Sequence, residues 1–180
     1  MKKPVISTPR LTLCPMKTRD INALLTLFTD PIVTKNYMVP EFATREDALP
    51  LAHKIIALSC DPHWFIYGIY LQDTLIGLVN ETEIQDKTIE LGFAILPAYH
   101  NQGYATEVLN ACINFLIDNG YEAVRTGVFS ENASSRRVME KAEMARLPLT
   151  ENIEYRGKTH RCLFYERAHK NIPENKTFCL

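Results

Sequence analysis

Gly92 to Leu116 reads GFAILPAYHNQGYATEVLNACINFL, and the order of its three parts decides the fold. An apolar run, Leu91 to Leu96, predicts a buried strand. Pro97 ends it, because proline has no N–H to give to a sheet ladder. A short turn follows, His100-Asn101-Gln102-Gly103-Tyr104-Ala105, and a helix begins at once. Ala105, Val108, Leu109, Cys112, Phe115 and Leu116 recur at the spacing of one buried helical face. Strand, tight turn and helix in this order leave unpaired N–H groups at the helix start, where the helix dipole favours negative charge. That is a place for a phosphate or pyrophosphate. Gly103 permits a positive φ or a close backbone approach to a ligand, and Ala105 keeps the same surface small. Many strand–helix turns with glycine bind nothing, so both readings stand on the turn alone. No G-x-x-x-x-G-K-[ST] loop and no G-x-G-x-x-G fingerprint is present, which disfavours a nucleotide triphosphatase or a Rossmann dinucleotide fold.

Outward from that stretch, 180 residues suffice for one domain with its own core. A hydrophobic share of 46% is ordinary for a globular protein. A net charge of −1 gives no electrostatic case for nucleic acid or an anionic membrane as partner. No apolar run reaches the length of a membrane span. Met1-Lys2-Lys3-Pro4 is basic but is not followed by an apolar stretch, unlike a secretory signal. Cys14, Cys60, Cys112, Cys162 and Cys179 form no C-x-x-C pair and are odd in number, which favours buried reduced thiols in a cytoplasmic protein over disulfides or metal. The histidines have no zinc-site spacing, so no metal is expected.

In chain order, Arg10 to Met16 alternates as a strand. Thr18 reads as an N-cap for a helix through Ile21, Leu24, Leu25 and Phe28, which Asp30-Pro31 breaks. Residues 31–43 read as a loop carrying Tyr37, Met38, Val39 and Phe42. Thr44-Arg45-Glu46-Asp47 resembles a capping sequence. A helix through Leu51, Ile55 and Leu58 follows, bent or restarted at Pro50 and ended by Asp61-Pro62. Trp64–Leu71 and Leu75–Ile84 read as a hairpin, and a turn at Asp86-Lys87 leads to the strand Thr88–Leu96. After the organising helix, Asn119-Gly120 gives a C-cap signal. A strand Tyr121–Phe129, a helix Ser134–Ala142 capped by Asn132 or Ser134, and strands Ile153–Arg156 and Thr159–Glu166 complete the chain. Residues 168–180 read as a polar frayed tail.

The turn resembles motif A of the GNAT superfamily of N-acetyltransferases, [RQ]-x-x-G-x-[GA], with His100 standing where Arg or Gln is usual. Glu90-Leu91-Gly92-Phe93 through Gly103-Tyr104-Ala105-Thr106-Glu107 resembles the branch that acetylates N-terminal amines of ribosomal proteins. Ser130 to Lys141 resembles the N-x-x-S-x-x-V-x-E-K segment of that branch, and Thr8 to Leu13 its first strand. Glu143-Met144 replace the family's usual Gly-Phe after this helix, which predicts a different C-cap conformation. The resemblance runs from about Thr8 to Arg167. It implies an α/β (α+β) GNAT fold, a mixed, mostly antiparallel central sheet flanked by helices. It also implies a single N-acetyltransferase domain over 1–180 with its core at about 8–167, acting as monomer or homodimer.

The implied reaction is direct transfer of an acetyl group from acetyl-CoA to a primary amine, either a protein N-terminus or a small molecule. A non-catalytic acyl-CoA-binding or sensor domain is the alternative. In the family, the strand before the turn splays from its neighbour, and its freed backbone groups hold pantetheine and polarise the carbonyl. Carried over, that assigns Phe93, Ala94 and Ile95 to acetyl-CoA. Asn101, Gln102, Gly103, Tyr104, Ala105 and Thr106 hold the pyrophosphate, and Asn132 reaches the pantetheine arm. The family uses the region of residues 31–43 for its acceptor, so this segment is either a substrate-side wall or a cover for the core.

Glu90 shares a strand face with Gly92 and Ala94 and is the first candidate base, taking the amine proton directly or through water. It reads equally as a solvated strand-end glutamate. Glu154 in the penultimate strand is its rival, and Glu81 and Glu83 are weaker choices. The thiolate-protonating tyrosine of many relatives is replaced by Met139. Ser135 is the substitute acid, or else only a helix cap. Tyr165 reads as core rather than catalytic.

Overall fold

The computed structural model describes residues 3–169. A short hairpin opens the chain, β1 (Ile6–Ser7) and β2 (Leu11–Cys14). Helices α1 (Ile21–Thr29), α2 (Pro31–Thr34) and α3 (Leu49–Cys60) follow. Then come β3 (Ile66–Leu71), β4 (Thr74–Gln85) and β5 (Thr88–Ile95). The remaining elements are α4 (Tyr104–Asp118), β6 (Ala123–Phe129), α5 (Ala133–Lys141), β7 (Ala145–Tyr155) and β8 (Lys158–Ala168). The strands form one sheet in the order β1-β2-β3-β4-β5-β6-β8-β7. Every neighbouring pair is antiparallel except β5 with β6, which α4 joins as a crossover. This is the mixed, mostly antiparallel sheet flanked by helices that the sequence implies.

The core lies on both faces of the sheet. Leu91 and Ile95 of β5 pack with Val108, Leu109, Cys112, Ile113 and Leu116 of α4. Ala94 turns to the opposite face, with Leu24, Leu25 and Phe28 of α1. Strand alternation therefore puts Glu90, Gly92 and Ala94 on the α1–α3 side. Tyr165 is buried in the α4-side core, as its sequence reading holds.

The local signals act largely as expected. Thr44 and Asp47 cap each other reciprocally: the Asp47 N–H donates to Thr44 Oγ1 at 3.3 Å and the Thr44 N–H to Asp47 Oδ2 at 2.8 Å. Pro50 restarts rather than bends the chain, sitting in the first turn of α3.

Other expectations are corrected. Thr18 is not an N-cap; it opens a short 3-10 turn, Thr18–Asp20. There the buried Asp20 carboxylate accepts from the Lys17 N–H at 2.7 Å and the Tyr70 hydroxyl at 2.6 Å. Residues 31–34 are not loop but α2, started by Asp30, whose side chain accepts from the Ile32 N–H. β7 begins eight residues before the expected Ile153. It is an edge strand, where Pro148 is tolerated because no outer ladder needs its N–H. The C-cap of α5 also differs from expectation. Glu143 adopts φ +56°, the left-handed conformation that a glycine would take there. The Met144 N–H donates to the Met139 carbonyl and the Glu143 N–H to the Glu140 carbonyl, both at 3.1 Å. Those two bonds make a Schellman motif. Of the expected tail, residues 170–180 lie outside the described residues, as does Cys179. The cysteines that are described, Cys14, Cys60, Cys112 and Cys162, are unpaired, though Cys60 is exposed rather than buried.

Candidate active site

β5 and β6 pair only through Thr88–Ala123, Ile89–Val124 and Glu90–Arg125. Beyond Glu90 they part: β5 stays on β4 as far as Ile95, and β6 stays on β8 as far as Phe129. The Leu96 N–H donates to the Ile76 carbonyl at 2.8 Å. Alternation of peptide groups then turns those of Phe93 and Ile95 the other way, into the opening. His100 braces this strand end, its Nε2–H donating to the Ile95 carbonyl at 2.7 Å.

The turn that follows carries two left-handed residues, Asn101 at φ +61° and Gly103 at φ +81°. Gly103 is the N-cap of α4, and among the described residues no side chain caps that helix. The first N–H groups of a 15-residue helix are thus left for solvent or a ligand. The contrast with α5 is direct, since Asn132 Oδ1 accepts there from the Ser135 N–H at 3.2 Å. Arg10 clamps the α4 turn from outside. Its guanidinium donates to the Gln102 carbonyl at 2.9 Å, pairs with Glu107 at 2.7 Å and lies 4.5 Å from the Tyr104 ring centroid. Burial acts to raise the Glu107 carboxyl, but hydrogen bonds from Thr8 and Arg10 outweigh it and hold the group below the usual carboxylate range.

The opening, the turn, α5 and α2 together enclose a cavity of about 400 Å³. Phe93, Ala94 and Ile95 line it from β5. Asn101, Gly103, Tyr104, Ala105 and Thr106 line it from the turn, and Asn132 and Ser135 from the start of α5. Gln102 alone of the expected cofactor residues does not, because its side chain folds back to donate to the Ala98 carbonyl at 3.2 Å. Ser135 is not the cap of α5; that part belongs to Asn132. The Ser135 hydroxyl oxygen accepts from Asn132 Nδ2–H at 2.9 Å, and its own proton has no acceptor among the described residues.

Glu90 lies outside this cavity, at the vertex where β5 and β6 separate. Its Oε1 is 3.6 Å from the point a Cβ on Gly127 would occupy, and the Thr82 hydroxyl donates to it at 3.0 Å. Burial pushes the Glu90 carboxyl up, and the neighbouring Glu83 and Glu151 add to this; Thr82 and Arg125 oppose it. Glu154 also lies outside the cavity, exposed on edge strand β7 and accepting from the Thr159 hydroxyl. Its neighbour Tyr155 points the other way and straps the β7–β8 hairpin to the α2 segment, donating to the Thr34 carbonyl at 2.8 Å.

Tyr37, on the segment read as a substrate-side wall or a core cover, also lines the cavity; Arg137 and Lys141, which line it too, were not singled out by sequence reasoning. The two cations are four residues apart on α5, a spacing that shares one helix face and could have drawn attention. Tyr37 carries no motif. A second cavity, about 460 Å³, lies across α2 and is lined by Phe28, Phe42, Glu41 and Arg156 among others; none of the residues named for chemistry reaches it. Among the described residues no helix is long and apolar enough to cross a membrane.

A family model described as an acetyltransferase (GNAT) domain matches residues 10–145. A Bacillus subtilis (strain 168) protein, described as uncharacterized N-acetyltransferase YoaA, is 26% identical over 141 residues, covering 76% of this chain and 80% of that protein. Among solved structures, an acetyltransferase (GNAT family) from Bacillus anthracis superposes with a TM-score of 0.78 at 23% identity, covering 92% of this chain and 98% of that one. RimL, a ribosomal L7/L12 alpha-N-protein acetyltransferase in complex with coenzyme A, gives 0.79 at 19% identity, with 92% and 98% covered.

Proposed function

This chain belongs to the GNAT acetyltransferase family, and from that premise we propose that it transfers an acetyl group directly from acetyl-CoA to a primary amine. One observation carries the cosubstrate: the uncapped N-terminus of α4, with its left-handed turn, faces a cavity continuous with the β5 opening. Such a terminus suits a pyrophosphate. Arg137 and Lys141 add positive charge along the same cavity. A solved relative described as a coenzyme A complex supports the same cosubstrate. The sensor alternative is disfavoured, because the matching family and all three relatives are described as acetyltransferases.

When bound, acetyl-CoA supplies an activated thioester carbonyl. The peptide groups of Phe93 and Ile95 orient and polarise it. The neutral amine nitrogen forms the new C–N bond, the C–S bond breaks, and its electron pair leaves on sulfur. Glu90, held by Thr82 and raised by burial, takes the amine proton through water, since it stands behind the cavity rather than in it. Ser135 donates its free O–H to the departing sulfur, and solvent returns the proton. Asn132 keeps one Nδ2–H for the pantetheine arm after serving Ser135. Glu154 is the weaker candidate, because it lies outside the cavity and its carboxylate is engaged at the sheet edge. The cytoplasm is the setting proposed, consistent with the unpaired thiols.

The acceptor is a protein N-terminus or a small amine. The test is thiol release from acetyl-CoA in the presence of alanine- and serine-ended pentapeptides, spermidine and free lysine. Acceleration by at least one, with a matching acetylated product in the mass spectrum, is expected. Tight acetyl-CoA binding with no acceleration by any of them would restore the sensor reading.

A further inference from the structure

Tyr37 stands in the turn after α2 and lines the same cavity as Phe93, Ala94 and Ile95. Its hydroxyl proton is committed, donated to Asn80 Oδ1 at 2.7 Å. Asn80 is fixed in turn: its Nδ2–H donates to the Glu81 carbonyl at 2.9 Å, which leaves its oxygen for Tyr37. A phenol whose proton is given away still offers a lone pair to an incoming donor. The backbone behind it is held as well, since the Tyr37 N–H donates to the Val33 carbonyl at 3.0 Å.

The ring lies across Gly92. A Cβ added there would sit 3.2 Å from Thr82 Cγ2, 3.5 Å from Asn80 Oδ1 and 3.7 Å from Tyr37 Cε2. Glycine therefore leaves bare backbone between Tyr37 and Glu90, which shares the face of Gly92 two residues earlier. A neutral primary amine entering the cavity beside the Tyr37 ring has two N–H bonds and one lone pair to place. We propose that the Tyr37 phenolic oxygen accepts one amine N–H and so aims the nitrogen lone pair at the thioester carbonyl. The second N–H then faces the water that leads to Glu90. This inference rests on the acetyl transfer proposed above and names the residue that positions its acceptor. It also explains why the acceptor must be primary, because a secondary amine has one N–H too few for both partners.

The experiment uses whichever of the two pentapeptides, spermidine or lysine the wild type acetylates fastest. Tyr37→Phe keeps the ring and removes the oxygen. A fall in kcat/KM for the amine of about tenfold, the scale of one lost hydrogen bond, is expected, with acetyl-CoA affinity by calorimetry within about twofold of wild type. Asn80→Ala frees the phenol proton to point at the amine and should cost a similar factor. The double variant should lose little more than either alone, because both act on one contact. Unchanged kcat/KM in Tyr37→Phe overturns the proposal, and so do losses that multiply in the double variant, which would mean two separate packing effects. A wild type that turns over none of the amines removes the acetyl-transfer reading itself, and this inference with it. Turnover by wild type that Tyr37→Phe matches removes this inference alone.

Discussion

Glu90 sits in an environment that works against its own charge. Burial raises its carboxyl above the ordinary 4.5, and Glu83 and Glu151 push the same way. A raised folded-state value means that the folded protein holds the proton to higher pH than the unfolded chain. The stability this contributes is fully present below the unfolded value and is lost as pH rises through the folded one. At neutral pH the ionised Glu90 therefore burdens the fold, a cost that its proposed role as base would explain. Glu90→Gln should lower turnover by roughly two to four orders of magnitude and flatten the acid limb of kcat/KM. The same variant should melt higher than wild type at pH 7, with the gain vanishing toward pH 4. Glu154→Gln should change neither quantity appreciably. Equal turnover in both variants and wild type would assign proton removal to bulk solvent. The role of Glu90 was open in the sequence because a strand-end glutamate looks the same whether solvated or set at a vertex. Its proposed role rests on the parting of β5 from β6 and on glycines at 92 and 127 beside it, and neither strand announces its partner.

The elements themselves were legible where a periodic apolar pattern met a strong terminator, as in α4 and the β3–β4–β5 meander. They were illegible where burial is slight. β7 is mostly exposed along its length, so its first eight residues show no alternation to read. α2 has four residues, too few for a helical period. The end of α5 misled for a different reason. Residue type there predicts a changed cap, yet the backbone keeps the left-handed C-cap geometry and places Glu143 in it, with Met139 and Met144 both buried in the α4-side core. Hydrophobic anchoring of the two methionines outweighs a local penalty of about 1 kcal/mol for a non-glycine residue in that conformation. Glu143 is exposed, so removing its side chain forfeits no burial. Glu143→Gly should accordingly stabilise the protein by about 1 kcal/mol and raise Tm by roughly 2–4 °C for a chain of this size. No change in melting, measured under reversible conditions, would mean that the Glu143 side chain makes a compensating interaction of its own.

At the scale of the whole molecule, the sheet is two wings joined at β5 and β6 by three residue pairs, with Tyr155 strapping the β7–β8 hairpin to the α2 segment across the gap. A ligand in the opening touches β5 and α4 on one wing and α5, which follows β6, on the other. Its binding energy thus adds to the stability of the join and of the fold together. At acetyl-CoA a hundredfold above its Kd, linkage gives about 2.7 kcal/mol, or roughly 5–11 °C in Tm for a chain of this size. Gly103→Asp tests where that energy enters. The new carboxylate would stand at the N-cap of α4, a favoured place for aspartate, and its Cβ would lie 3.4 Å from Arg10 Nη2. Capping and the nearby cation offset the strain of a left-handed aspartate, so the variant should remain folded. It should nevertheless lose the acetyl-CoA shift, because its own negative charge now occupies the helix N-terminus that a pyrophosphate would need. A folded Gly103→Asp protein that still melts several degrees higher with acetyl-CoA would remove the phosphate from the α4 turn and leave Arg137 and Lys141 of α5 as the groups that hold it.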